Sequence, residues 1–419
     1  MKGTYDKCKQ VAGLLGSFVR WVLLACVLGG GIGVVSVLFH HGIELATELR
    51  MDHPWVLLLL PAAGAAIVML YRICDMAHDR GTNQIFLCVR EGKPVRLRTA
   101  PLIFISTILT HLVGGSAGRE GAALQLGGSL AGKAGQLLRL DEKDRRILIM
   151  CGMSAAFSGL FGTPLTAAVF ALEVVSVGVM YHAALVPCLC AALMAAEAAK
   201  LLGAPAAGYA LTAVPDMTLP AMGQAAVLGV LCALVSVLFC RVVHAAPGLY
   251  AKIPVHSALR GVLGGVLVLG LTIAVGSQDY NGAGGHIIAR AVEQGQAVPW
   301  AFLLKILFTA VALGAGFRGG EIVPVLFTGA TFGCTVAPVL GLDPGFGGAL
   351  GMVALFCGTT NCPVASILLS VELFGAKGLP LFALACAVAY MTSGYHGLYS
   401  EQKIMYSKFR TEWVGKNAH

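Results

Sequence analysis

The chain carries the same interrupted pattern twice, and this repeat constrains its fold more than any other feature. Gly118-Arg119-Glu120-Gly121-Ala122 and Gly319-Gly320-Glu321-Ile322-Val323 each set a single glutamate beside glycine at the head of an apolar run. A shift of 201 residues lays Gly118 on Gly319, Glu120 on Glu321, Gly128 on Gly329 and Gly132 on Gly333. A second pair matches at a shift of 199: Gly159, Pro164 and Glu173 fall on Gly358, Pro363 and Glu372. The chain therefore reads as two related halves. Glycine-broken hydrophobic segments at corresponding places in two halves mark a binding site near the middle of a bilayer.

Composition fixes the solvent. Hydrophobic residues make up 57% of the 419 and charged residues 12%, against about 25% charged in a soluble domain. Neither 147–172 nor 322–342 contains a charged residue, and apolar runs of this length read as membrane segments. Candidate segments are 18–41, 54–74, 101–115, 120–138, 147–161, 164–180, 183–202, 222–245, 259–276, 299–316, 322–340, 348–357, 363–375 and 379–394. The first lacks a small-residue cleavage site and reads as a span, not a signal peptide. Many are shorter than the ~20 residues of a full crossing. They predict partial helices that stop inside the bilayer, tolerated only where protein or a watery cavity covers the freed backbone.

The expected class is an all-α polytopic membrane protein. Its expected divisions are an N-terminal segment 1–15, a first membrane half 16–202, a linker 203–220, a second half 221–402 and a tail 403–419, with no cytoplasmic regulatory domain. The formal charge is +8. Its basic residues gather at the ends and in loops: Lys2, Lys7, Lys9 and Arg20; Arg139, Lys143, Arg145 and Arg146; Lys403, Lys408, Arg410 and Lys416. That pattern predicts cytoplasmic termini and does not suggest nucleic acid. The 13 cysteines are scattered singly through apolar segments. Their spacing suits neither zinc nor a disulfide framework, so no metal and no cofactor is expected.

Three glycine-led helix starts are candidates for chemistry: Gly81-Thr82-Asn83, with Thr82 or Asn83 as N-cap, Gly118-Arg119-Glu120-Gly121, and Gly319-Gly320-Glu321-Ile322. A helix start offers unpaired N–H groups and about half a positive charge. Several converging at mid-membrane would bind an anion without a lysine. A glutamate at a helix start gains ~0.3–1 kcal/mol from the dipole, whereas a charge at membrane depth costs ~2.5–3.5 kcal/mol. Function therefore explains Glu120 and Glu321 better than local stability does. Glu173 and Glu372 close their segments and suit snorkelling or pairing at an interface. Arg119 suits a structural bond to nearby carbonyls. Gly127-Gly128-Ser129-Leu130-Ala131-Gly132-Lys133 approximates a phosphate loop, but Ala134 stands where Ser or Thr is required. Gly29, Gly30, Gly31 and Gly33 fall inside a span, where small residues serve close helix packing.

These motifs together resemble the CLC family of chloride channels and anion/proton antiporters. The family's G-R-E-G-P appears as Gly118-Arg119-Glu120-Gly121-Ala122, its G-x-F-x-P as Gly320-Glu321-Ile322-Val323-Pro324, and its central tyrosine as Tyr399. The likeness runs from about residue 16 to residue 403. The departures point to the fluoride/proton antiporter branch. The G-S-G-I-P loop is Gly81-Thr82-Asn83-Gln84-Ile85, Glu321 stands where chloride-handling members carry an apolar residue, and the inner proton glutamate of chloride exchangers would fall at Val174. A threonine common in that branch is here Val323.

The resemblance implies two inverted-topology halves with many tilted and partial (re-entrant) helices. It implies proton transfer and gating at Glu120 and Glu321. It implies anion binding around Thr82, Asn83, Gly118, Arg119, Gly121, Gly320, Ile322, Val323 and Tyr399. The partners would be fluoride or chloride, protons, the lipid bilayer and a second copy in a homodimer. The setting would be the inner (plasma) membrane. The expected activity is fluoride export in exchange for protons. Alternatives are a chloride channel or chloride/proton exchanger, and a membrane-embedded enzyme using Glu120 and Glu321 as an acid/base pair. Against the enzyme stands the lack of an H-E-x-x-H signature or a nucleophile-base constellation.

Overall fold

A computed structural model describes residues 2–204 and 206–419; the side chains of residues 2–9, including Lys2, Lys7 and Lys9 of the basic cluster, lie outside the described residues, as does Pro205 of the linker. The chain is mainly helical, with sixteen α-helices among the described residues. They fall into two size classes. Lys2–Asp52 and Leu219–Ala251 contain 51 and 33 residues, more than the ~20 that cross a bilayer. Thr82–Glu91 and Pro164–Glu173 contain 10 each, and Pro363–Phe374 contains 12. At 1.5 Å per residue such helices cover only about half of a ~30 Å hydrocarbon core. The expected partial helices are present.

The repeat governs packing in both halves. Helix Glu120–Leu137 lies on Glu142–Phe161, and its counterpart Ile322–Leu340 lies on Pro344–Thr360. Both pairs touch backbone to backbone at glycine. A Cβ on Gly127 would overlap the Gly152 carbonyl, and one on Gly329 would lie 2.5 Å from the Gly351 carbonyl oxygen. Small residues at such crossings replace the hydrophobic drive that lipid cannot supply. Gly33 in the first span likewise lies against Ala195, where a Cβ would sit 2.8 Å from its Cα.

Glu173 and Glu372 join the two halves. Glu173 accepts hydrogen bonds from the amides of Val364 and Ala365 at 3.2 and 3.0 Å. Glu372 accepts from Leu165 and Thr166, both at 2.8 Å. Each closes one half's short helix and caps the first turn of its counterpart in the other. Pro164 and Pro363 occupy the first helical positions, where a missing N–H costs nothing. The carboxylates are thus paired at an interface, with backbone amides as partners.

One end of the molecule collects the basic loops. Arg20 pairs with Asp144 at 2.7 Å, and Arg80 with Glu401 at 2.6 Å. The opposite end carries the linker, where Ala207 donates to the Phe161 carbonyl at 2.8 Å and Tyr209 to that of Leu373 at 2.9 Å. Two features escaped the hydropathy pattern. Helix Gly285–Glu293 carries His286, Arg290 and Glu293 and so has no apolar run. The tail folds back as strands Lys403–Tyr406 and Trp413–Asn417, the first pairing in parallel with Ser176–Val177. A small sheet is therefore added to the helical body.

Removing a cross-cap should loosen the contact between the halves. Hydrogen bonds to a charged acceptor contribute about 1.5–3 kcal/mol, so Glu173→Ala and Glu372→Ala should each destabilise the protein by about that amount. Thermal melts in detergent would check this, with Glu173→Gln retaining part of the cap.

Candidate functional site

The two glutamate motifs meet. Gly118 and Gly320 form a two-residue antiparallel bridge, the Gly118 amide donating to the Gly320 carbonyl at 2.6 Å and the Gly320 amide to the Gly118 carbonyl at 2.7 Å. Helix Glu120–Leu137 leaves one side of this bridge and helix Ile322–Leu340 the other. Glycine is obligatory here. A Cβ on Gly320 would strike the Gly121 amide and lie 3.2 Å from the Glu120 amide nitrogen.

A cavity abuts each side of the bridge. The larger, about 410 Å³, opens toward the linker end and is lined by His40, Glu44, Arg119, Glu120, Tyr209 and Val323 among others. The smaller, about 200 Å³, lies toward the basic end and is lined by Asp79, Thr82, Gln125, Arg318, Glu321 and Tyr399 among others. Each glutamate thus faces its own cavity.

Glu120 is buried, at 1% exposure, and its Oε1 has no hydrogen-bond partner among the described residues. Its Oε2 accepts from the Arg119 amide at 3.1 Å, and Arg119 Nε lies 3.5 Å from Oε1. Arg119 does not reach for carbonyls as its sequence context suggests. Its Nη1 meets His40 Nδ1 at 2.5 Å. Guanidinium only donates, so His40 Nδ1 accepts and the ring proton sits on Nε2, toward Glu44 at 3.6 Å. Polar groups therefore run from the cavity mouth to Glu120.

On the other side, Thr82 and Asn83 do not act as N-caps. Gly81 holds the cap position with φ 60° and ψ −134°, a conformation only glycine adopts without strain. The Thr82 hydroxyl instead donates to the Gly121 carbonyl at 3.1 Å, and Asn83 Oδ1 accepts from the Glu401 amide at 3.0 Å. Both side chains are committed to holding distant segments together. Glu321 is partly exposed to the smaller cavity. A Cβ on Gly121 would lie 3.2 Å from its Oε2. Tyr399 is 2% exposed, stands edge-on to Phe86 at 4.9 Å, and has an unpartnered hydroxyl.

Of the sequence candidates, Arg119, Glu120 and Val323 line the larger cavity and Thr82, Asn83, Glu321 and Tyr399 the smaller, while Gly118, Gly121 and Gly320 form the partition. Ile322 is buried at 1% exposure and lines neither cavity. Three polar residues were missed. Gln125 donates to the Thr82 hydroxyl and the Gly121 carbonyl, both at 3.3 Å, leaving its Oε1 free. Its position four residues beyond Gly121 puts it on the same helix face, and a polar residue there was the available signal. Asp79 and Arg318 lie just before the glycine-led starts. Burial pushes the Asp79 carboxyl above the usual aspartate range, and the Arg318 guanidinium opposes that shift.

The comparisons with known proteins agree with this geometry. The chain matches the voltage gated chloride channel family over residues 62–394 and belongs to that family. It is 37% identical over 402 residues to a chloride/fluoride channel protein of Pseudomonas syringae pv. tomato, covering 94% of this chain and 89% of the relative. It is 25% identical over 383 residues to an H(+)/Cl(-) exchange transporter, ClcA, of Vibrio cholerae, covering 84% of this chain and 81% of that protein. The fold superposes on the crystal structure of a CLC-type fluoride/proton antiporter with a TM-score of 0.88 at 32% identity, over 92% of this chain and 98% of the other. The protein is a CLC-type membrane protein, in a family of anion transporters and channels, and not an enzyme.

The partition can be tested directly. Overpacking costs about 1–3 kcal/mol, and each ~1.4 kcal/mol is tenfold in a rate. Gly320→Ala must displace the Gly121 backbone, and a barrier raised by even the low end of that cost should lower anion flux in liposomes by about fivefold or more. Gly31→Ala, where a Cβ meets open space, should leave flux unchanged.

Proposed function

We propose that the protein is a fluoride/proton antiporter that exports fluoride across the plasma membrane. The observation that carries this reading is the pair of carboxylates, Glu120 and Glu321, each facing its own cavity on either side of the Gly118–Gly320 bridge. Glu120 acts as the mobile gate. Deprotonated, it competes with the anion for the helix starts; protonated, it withdraws and admits the anion. Glu321 carries protons on the other side and fills the role that Val174 cannot. Anion contacts come from backbone N–H groups at the two helix starts and from the free Tyr399 hydroxyl at the smaller cavity, while Thr82 and Asn83, bonded to Gly121 and Glu401, hold that cavity's wall in place.

Fluoride is favoured on chemical grounds. It is small and strongly hydrated, so a site must offer close donors in compensation. A protonated Glu321 is a strong donor, and it removes the repulsion that a fixed carboxylate would exert on a halide. The likeness to a solved fluoride/proton antiporter supports the same choice. Basic loops gathered at the Glu321 end support placing that end, with both termini, in the cytoplasm. Assembly as a homodimer follows from the family resemblance.

Flux from liposomes containing the purified protein, with fluoride and chloride compared side by side, tests the reading. A fluoride gradient should drive protons uphill, and chloride should be carried poorly. Equal transport of both halides would replace fluoride by chloride as the substrate.

Glu120→Gln cannot release a proton, so anion-driven proton movement should vanish, with anion flux either uncoupled or stopped. Glu321→Gln keeps a donor but cannot titrate. Coupled transport should fail while fluoride binding, read by calorimetry, survives. Tyr399→Phe removes one hydrogen bond of about 0.5–1.5 kcal/mol and should weaken fluoride binding by about two- to tenfold.

A further inference from the structure

Three arginines converge on a cavity that the transport cycle leaves unused. Arg72 ends helix Leu60–Ile73, Arg260 lies in the first turn of helix Ser257–Val275, and Arg318 immediately precedes the Gly319-Gly320-Glu321 start. All three line one space of about 190 Å³, and no Asp or Glu lines it. Among the described residues none of the three forms a salt bridge. Arg72 contacts His256 and Ser257, and Arg260 donates to the carbonyls of Ala251 and Ile253. The acid whose charge Arg318 feels, Asp79, lines the neighbouring transport cavity instead.

The space is also rich in unused donors. Arg260 Nε, Arg318 Nε and the hydroxyls of Tyr71 and Tyr250 are buried without partners. Like charges held together repel, and buried polar groups left unpaired cost free energy. An anion would relieve both. Guanidinium forks suit a phosphate in particular.

An apolar groove of about 440 Å³ adjoins this cavity and shares Tyr250 with it. Leu249, Ile253, Leu267, Leu307 and Val311 line the groove. Leu249 and Leu267 are 61% and 50% exposed, as expected of a face turned to lipid. Arg72 and Arg260 lie near the ends of the candidate spans Pro54–Ile73 and Ser257–Val275, at headgroup depth. A phosphate-sized cationic pocket at that depth, continuous with an acyl-sized groove along the bilayer, matches one kind of molecule.

We propose that Arg72, Arg260 and Arg318 hold the phosphate of an anionic phospholipid whose acyl chain lies in the groove beside Tyr250. The site is independent of which halide the protein carries. Arg318 borders both this pocket and the Glu321 cavity, so the bound headgroup and the transport site share one charge.

Native mass spectrometry of the purified protein, offered phosphatidylglycerol and phosphatidylcholine in mild detergent, tests the site. The wild type should retain phosphatidylglycerol selectively. The double variant Arg72→Gln/Arg260→Gln should bind it about thirty-fold more weakly, since each basic residue facing an anionic headgroup contributes about fivefold. Val311→Trp, which fills the groove from the apolar side, should also reduce retention, so the two variants probe the site independently and either one that folds decides. Inorganic phosphate at millimolar concentration should neither displace the lipid nor raise the melting temperature. Equal retention of phosphatidylcholine, unchanged retention of phosphatidylglycerol in a folded variant, or displacement by inorganic phosphate would each overturn the proposal. The last outcome would mean a free oxyanion site.

Discussion

The hydrogen-bonded pair between Gly118 and Gly320 is the constraint on which the site depends. Irregular backbone at membrane depth is tolerated only if its polar groups are satisfied. Two broken segments arriving from separate halves meet that demand by bonding each other, with amide and carbonyl exchanged at 2.6 and 2.7 Å. The close approach leaves no room for a side chain at Gly320, where a Cβ would strike the Gly121 amide, and little at Gly118, where one would press on Val323 and Glu120. The bridge then fixes where the two helices begin, and so where Glu120 and Glu321 stand. Partition and carboxylates are one structural unit.

The halves match in backbone and differ in chemistry. Glu173 and Glu372 cap each other's partner helices in near-identical geometry, so the scaffold is close to symmetric. The site is not. Under the repeat, Arg119 corresponds to Gly320. Arg119 gives Glu120 a cation at 3.5 Å and a link through His40. Gly320 gives Glu321 no such neighbour and instead leaves room for the Gly121 backbone. One carboxylate is tethered beside a positive charge and the other borders a cavity with Asp79, Arg318 and Tyr399. The two sides of the partition therefore present different chemistry on a similar backbone.

Much of this was legible in the sequence, and the limits have physical causes. The repeat, the broken helices and the two glutamates follow from glycine and charge in an apolar background, where each polar residue is expensive enough to need a reason. The cross-caps could only be read as interface pairing, because their partners are backbone amides about 190 residues or more away. Thr82 and Asn83 looked like local caps because Ser, Thr, Asn and Asp favour that role; long-range bonds to Gly121 and Glu401 won instead. Helix Gly285–Glu293 and the tail strands were hidden because hydropathy reports membrane depth, and both lie in polar stretches.

Unsatisfied polar groups lie at the partition. A buried polar atom without a partner costs about 1–3 kcal/mol, and native structures retain few of them. Here Glu120 Oε1, Gln125 Oε1 and the Tyr399 hydroxyl are all buried and unpartnered around the same partition. These are two acceptors and one group that both donates and accepts. An anion satisfies the hydroxyl, and a proton on Glu120 turns that carboxylate from acceptor to donor. The acceptors remain unsatisfied unless a proton or water comes to them. Unsatisfied donor and acceptor groups thus lie together at one partition, the combination that the proposed joint passage of an anion and a proton would use.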